Sequence, residues 1–336
     1  MRILLAPTEI AGTMATTARA LRNLGVDAVS CNLKYKQNPY GYICDVDFGP
    51  QDSQLSITKK VSRFIFIFAS IFRYDIFHFY FGRTLSRKKR DLPLLKCLGK
   101  KLVMEFVGSD ARIANFWPNT IEEKIAKKSS EKVVKNLKRL SRYIDVAIVY
   151  DWELQTYVKP FFKRVEIVRQ RMELDKYLPQ YPDPNRKVPL IVHAPSNRGI
   201  KGTEFVLAAI EKLKIKYSLS FHLIENLKYA EALKLYSNAD IIVDQLKIGT
   251  HGGLALESMA LGKPVITYLR EESKEFYPKS IPIVSASTES IYEVLERLIL
   301  NGKLRYQLGV RGRKYVEEYH DSIKEAKRLL AIYRSL

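Results

Sequence analysis

The sequence predicts an α/β protein made of two doubly wound domains, and three observations carry that expectation. Short β-branched or aromatic runs alternate with helical patterns from end to end, as in a parallel sheet with crossover helices. The alternation halts at a proline-rich stretch and then restarts. The 336 residues, 46% hydrophobic and 11% aromatic, are enough for about two domains, each with a full core.

In the first half, strands are expected at Arg2 to Ala6, Asp27 to Cys31, Ile76 to Tyr80, Leu102 to Phe106 and Val146 to Val149. Helical patterns fall near Thr13 to Leu24, Thr120 to Arg142 and Glu153 to Phe161. The stretch from Leu178 to Pro189 holds four prolines. Proline is excluded from helix interiors and central strands, so this stretch is read as the linker. Beyond it, strands are expected at Leu190 to Ala194, Leu219 to Ile224, Ile241 to Asp244 and Val265 to Tyr268, with helices at Thr203 to Leu213, Leu227 to Tyr236 and Leu254 to Leu261. Apolar residues at Val316, Tyr319, Ile323, Ala326, Leu330 and Tyr333 recur in steps of three and four and predict one long amphipathic helix.

Composition narrows the class. Three widely spaced cysteines (Cys31, Cys44, Cys97), with no Cys-x-x-Cys pair, argue against a disulfide framework or structural zinc and fit a reducing cytosol. The N-terminus turns polar by Thr8 and lacks the pattern of a signal peptide. The strongest apolar run, Phe64 to Phe72, is well short of the about 20 residues of a bilayer span. Fifty-six Lys and Arg against 36 Asp and Glu leave a formal charge of +20, which predicts an anionic partner.

In open α/β sheets, ligands sit beyond the carboxyl ends of the strands, and four segments there are unusual. Gly12, in the turn after the first strand, can bring backbone close to a ligand ahead of a helix start, or serve only the bend. Gly108-Ser109-Asp110 and Arg112 follow the fourth strand as a polar loop able to hold a sugar, although a capping Asp with a surface Arg looks the same. Between His193 and Thr203, Arg198 and Lys201 alternate with Gly199 and Gly202, a combination suited to a diphosphate and otherwise read as a solvated basic loop. Gly252 and Gly253 open a short helix closed by Gly262 and Pro264, with Glu257 one turn in, where a carboxylate can accept from two adjacent ribose hydroxyls.

The run from Leu256 and Glu257 through Gly262 and Pro264, with Arg198-Gly-Ile-Lys201-Gly, resembles the donor-site motifs of retaining glycosyltransferases of the GT-B fold (group 1, family 4-like). Asp75-Ile-Phe-His78-Phe-Tyr80 and Gly108-Ser-Asp110 are similar to that family's acceptor-domain motifs. The resemblance implies two Rossmann-like domains facing a cleft: residues 1–178 for the acceptor, 179–318 for the nucleotide-sugar donor, and 319–336 as a helix crossing back to the first. It implies a UDP- or GDP-linked sugar as substrate, a glycan or lipid-linked acceptor, retention at the anomeric carbon, and no metal or cofactor. Carried over by position, Arg198 and Lys201 stabilise the departing diphosphate. Gly12, Gly252, Gly253, Leu254 and Glu257 complete the donor site, and His78, Tyr80, Ser109 and Asp110 meet the acceptor.

Two departures stand out. Eight positions before Glu257, where the family usually has a glutamate, is Gly249, with Asp244, Gln245 and His251 near enough to substitute. Two positions after His78, where a second histidine is usual, is Tyr80. A catalytically silent GT-B subunit that binds a nucleotide sugar or glycan is therefore the alternative, and a nucleotide-sugar epimerase is a third. Between Arg83 and Arg142 lie 17 Lys and Arg against 6 Asp and Glu. Arg87 to Arg90 and the helix from Lys124 to Arg139 are accordingly read as a solvated basic face or as a contact for anionic lipid, placing the protein peripherally on the inner face of a membrane. Nucleic acid is not expected, because its recognition signatures are missing from the sequence.

Overall fold

The computed structural model describes residues 1–33, 42–48, 57–113, 123–274, 276–278 and 281–336, with the side chains of 123–129 and 274 left out. The chain forms two compact units, Met1–Met172 with Ser322–Leu336, and Glu173–Asp321.

The first unit runs β1 (Arg2–Ala6), α1 (Thr13–Asn23), β2 (Asp27–Asn32), β3 (Val46–Asp47), α2 (Ile57–Arg73), β4 (Ile76–Tyr80), α3 (Asp91–Cys97), β5 (Lys101–Phe106), α4 (Glu123–Leu140), β6 (Val146–Val149), α5 (Trp152–Val158) and β7 (Val165–Ile167). Its seven strands are parallel in the order β3-β2-β1-β4-β5-β6-β7. The order reverses between β1 and β4, which makes it doubly wound. Strands covered on both faces read as continuous apolar runs, and every residue of β4 and β6 is buried. One face packs with α2, α3, α4 and α5 through Ile71, Leu92, Leu95, Leu137, Leu140 and Leu154. The other packs with α1 through Met14, Ala18 and Leu21.

The second unit runs β8 (Leu190–His193), α6 (Arg198–Lys201), α7 (Thr203–Lys216), β9 (Ser220–Leu223), α8 (Tyr229–Asn238), β10 (Ile241–Val243), α9 (Gly253–Ala260), β11 (Val265–Ile266), α10 (Glu271–Lys274), α11 (Ile291–Leu300) and α12 (Gly302–Tyr319). The chain then returns to the first unit with α13 (Ser322–Arg334). The second sheet is parallel, ordered β11-β10-β8-β9, and its reversal lies between β8 and β10.

Three expectations are corrected. The units part at Met172/Glu173, ahead of the expected boundary at Leu178, and return at Asp321/Ser322 rather than after 318. The proline-rich stretch is no free linker: the Gln180 amide donates to the Leu261 carbonyl at 2.8 Å, and Arg313 donates to the carbonyls of Tyr177 and Ala260 at 2.6 and 2.7 Å. The stripe from Val316 to Tyr333 is divided between α12 and α13, which are separated by His320 and Asp321. A helical period persists across a two-residue break because both helices use the same spacing to bury a face, each in its own unit.

Candidate functional site

The switch between β8 and β10 brings together the segments that follow His193 and Val243, which pair directly. After β8, Asn197 caps α6 by accepting from the Ile200 amide at 3.0 Å. His193 is buried, its Nδ1 2.9 Å from the Val243 carbonyl and its Nε2 2.9 Å from the Thr203 hydroxyl, so it ties strand to helix start. Burial lowers its pKa. Lys201 Nζ donates to Asp244 Oδ1 at 2.6 Å and Gln245 Oε1 at 2.9 Å. The other Asp244 oxygen accepts from the Gly252 amide at 2.8 Å, directly before α9. Asp244 is fully buried. One carboxylate thus bridges a lysine and a helix start, the two groups that bind phosphate. A side chain at 252 has no room, since a Cβ there would lie 2.8 Å from Asp244 Oδ2 and 3.2 Å from Lys201 Nζ.

Glu257, one turn into α9, accepts from the Tyr229 hydroxyl at 2.9 Å, and Tyr229 in turn lies 2.9 Å from the Tyr177 hydroxyl. Burial, opposed by the Tyr229 hydrogen bond, pushes the Glu257 carboxyl up to about 7. The structure brings Lys201, Gly252, Gly253, Leu254 and Glu257 together around the start of α9. Arg198 stands apart from that group, exposed and bound by Glu225 at 2.9 and 2.7 Å, with Glu204 at 3.4 Å. The two cations thus face different carboxylates. Gly249, at the position of the missing glutamate, has φ +87 with the Arg270 side chain against it, so a larger residue there meets both strain and a clash. His251 packs beside Tyr277 and His320 at 5.6 and 5.9 Å.

In the first unit the expected site residues divide. Gly12 has φ +80 and serves the bend. The helix start behind it is already capped, because Glu9 accepts from the Met14 and Ala15 amides at 3.2 and 2.9 Å, which corrects the donor-binding expectation. His78 and Tyr80 are fully buried, closed to any acceptor, and stack at 4.5 Å. His78 Nδ1 lies 2.5 Å from the Tyr333 hydroxyl of α13, and its Nε2 lies 3.3 Å from Glu105. Glu105 pairs with Arg171, whose Nε donates to the Thr17 hydroxyl at 2.7 Å. These residues form a buried polar centre that fixes α1, β4, β5 and α13 together. Ser109 is exposed at the end of β5. Asp110 folds inward, accepting from the Val107 and Gly108 amides at 3.1 and 2.9 Å through one oxygen. Burial raises its carboxyl to about 6, against those two hydrogen bonds.

The Tyr177–Tyr229–Glu257 chain, the Glu225 clamp on Arg198 and the Glu105–Arg171 pair escaped the sequence reading. Their partners lie more than 25 residues apart and carry no local period.

Two parallel, doubly wound sheets and a last helix returning to the first define the GT-B architecture of two Rossmann-like domains. Residues 196–331, spanning the carboxyl-end loops of the second unit, match the family model described as glycosyl transferase-like. The whole chain superposes on sucrose-phosphate synthase from Thermosynechococcus elongatus at 16% identity and TM-score 0.66, covering 100% of this chain and 99% of that one. It superposes on Anabaena Alr3699/HepE in complex with UDP and glucose at 11% identity and TM-score 0.66, covering both chains fully. The putative UDP-N-acetylglucosamine 2-epimerase from Listeria monocytogenes is also similar, at 14% identity and TM-score 0.58 over 99% and 96% of the two chains. No curated protein sequence matches the chain.

Proposed function

We propose that the chain is a glycosyltransferase that takes a sugar from a nucleoside diphosphate, with the donor held by the second unit and a glycan or lipid-linked acceptor by the first. The observation that carries this reading is the placement of Lys201 at the start of α9 with Glu257 one turn in, on a domain that matches a glycosyl transferase-like family model. The diphosphate meets Lys201 and the first amides of α9, and Glu257 accepts from the ribose hydroxyls. As the sugar leaves, Lys201 and the helix start stabilise the growing negative charge on the diphosphate, the role a divalent metal plays elsewhere. Retention and a hexose-type donor follow the resemblance of the motifs. UDP in the HepE complex makes uridine the first donor base to test.

Thermal-shift measurement with UDP, GDP and ADP in the presence of a chelator tests the donor reading. Stabilisation by at least one nucleotide is expected, and a shift that needs divalent metal overturns the metal-free part. Release of free nucleotide from a panel of nucleotide sugars separates an enzyme from a silent binding subunit. Gly249, held in a left-handed turn under Arg270 where the resemblance expects a carboxylate, favours that second reading.

Glu257 gives the donor site a pH dependence. Folded protein holds this proton more tightly than the unfolded chain, so its contribution to stability is complete below the ordinary 4.5 and is lost as pH rises through about 7. Accepting two hydroxyls needs the ionised form, so affinity for a nucleotide sugar, whose diphosphate does not titrate near neutrality, should rise across that range. Calorimetric titration between pH 5.5 and 8.5 reads the slope (a range chosen roughly to bracket that pKa), and Glu257→Gln should flatten it.

Asp110→Asn keeps an oxygen for the Val107 and Gly108 amides, so folding should persist. Transfer should fall while nucleotide affinity stays unchanged. A large loss of nucleotide binding removes this loop from the acceptor side.

A further inference from the structure

Helix α2 packs on the core of the first unit through Ile71, with Phe66 and Ile67 partly buried beside it. Its outward face is not polar. Ile57, Val61, Phe64, Ile65, Phe68 and Phe72 are all between 49% and 79% exposed. Their steps of three and four residues set them in one stripe along the helix, where a surface helix ordinarily carries charge. Phe68 and Phe72 touch edge to face at 5.3 Å, so the stripe is a continuous apolar ridge. An exposed patch of this kind marks an interaction surface. The sequence of α2 holds four cations (Lys59, Lys60, Arg63, Arg73) and no acidic residue.

The neighbouring helices extend the pattern. α3 and α4 bury Leu92, Leu95, Leu137 and Leu140 in the same core cluster that receives α2, so all three cover one face of the sheet. Leu94 and Leu98 stand exposed on and after α3. Arg139 of α4 donates to the Lys88 carbonyl at 2.5 Å, which joins the basic 87–90 turn to the basic side of α4. Lys135, Lys138, Arg139 and Arg142 line a cavity of about 900 Å³ there, and among the described residues Glu131 is its one acidic wall.

We infer that this helix layer is a docking surface for an anionic lipid bilayer, with the apolar ridge of α2 buried among the acyl chains and the cations of α2, the 87–90 turn and α4 against the headgroups. Apolar ridge and basic flank are the two attractions an interfacial helix uses, and a charge of +20 opposes the alternative of two copies meeting ridge to ridge. Among the described residues no helix is long and apolar enough to cross a membrane, so α2 lies in the interface. The aromatic run from Phe64 to Phe68 fits insertion or a buried element by sequence, and the structure exposes Phe64, Ile65 and Phe68. The inference does not depend on the donor site in the second unit.

Co-sedimentation with vesicles of phosphatidylcholine and phosphatidylglycerol, beside vesicles of phosphatidylcholine alone, tests it. The parent should bind the anionic vesicles in a salt-sensitive way, and Phe64→Glu/Phe68→Glu should bind them about tenfold more weakly or worse. Both side chains are exposed, so thermal melting and the nucleotide-induced shift should stay as in the parent. A single Phe68→Trp variant gives a second readout, a blue shift of tryptophan emission on anionic vesicles only. Equal binding by the double variant, no preference of the parent for anionic vesicles, or no blue shift overturns the inference. So does a parent dimer in sedimentation velocity that the double variant dissociates, which assigns the ridge to a second copy of the chain.

Discussion

Lys201→Ala is expected to weaken nucleoside diphosphate binding by about ten- to a hundredfold, since a charge-assisted contact contributes about 1.5–3 kcal/mol and each 1.4 kcal/mol is about tenfold. The same substitution removes the cation facing Asp244, which is fully buried. A buried carboxylate stripped of its partner is destabilising, so the melting temperature should fall too. Adding Asp244→Asn separates the two effects. The double variant should recover stability, because the orphaned charge is gone, and should not recover nucleotide affinity, because the lysine is still missing. Calorimetric titration beside thermal denaturation reads both. Unchanged nucleotide affinity in Lys201→Ala would take the diphosphate away from the start of α9.

Arg171→Met should give the largest loss of stability, about 3–5 kcal/mol, by leaving Glu105 buried without the cation that balances its charge. For a unit of this size that is a fall of roughly 6–20 °C in melting temperature. Arg171→Met/Glu105→Leu should regain most of it, since a well-packed apolar pair replaces an ion pair at little cost. The same centre predicts acid sensitivity. Burial raises the Glu105 carboxyl, but the Arg171 charge and the His78 contact outweigh it and hold its pKa below the usual value. Burial lowers the His78 pKa despite Glu105. Both groups bind protons more readily in the unfolded chain. Their stabilising contribution is therefore present above the ordinary 6.5 for His78 and 4.5 for Glu105, and is lost as pH falls below each. Scanning calorimetry from neutral to acid pH should show the parent losing stability more steeply than Arg171→Met/Glu105→Leu.

The strands were the most legible part of this chain. β1, β4 and β6 lie where apolar runs end at turn residues, because a strand buried on both faces admits nothing else. The start of α9 was legible for a similar local reason, two glycines before a helix and Gly262 with Pro264 after it. β3 and β7, of two and three residues, left no period to read. The ridge of α2 was misleading in another way: the run from Phe64 to Phe72, broken only by Ser70, fits a buried strand or helix equally, and only the fold decides which face meets water. His78 matched an acceptor motif by spacing, yet Tyr333, 255 positions away, closes over it. Spacing records where a side chain leaves the sheet and is silent about what a distant helix lays on top.

The return of α13 reverses the order in which a growing chain can complete its two halves. Ala326, Leu329, Leu330 and Tyr333 belong to the core that also holds Met14 and Leu21, so the first unit waits for a helix that follows the whole of the second. Glu173–Asp321 is contiguous and can close once its own residues have emerged from the ribosome. Met1–Met172 cannot, and until α13 emerges the pocket that receives Tyr333 is open, with His78, Glu105 and Arg171 on its floor. A premature stop directly before α13 would therefore injure the first unit and leave the unit adjoining the stop intact.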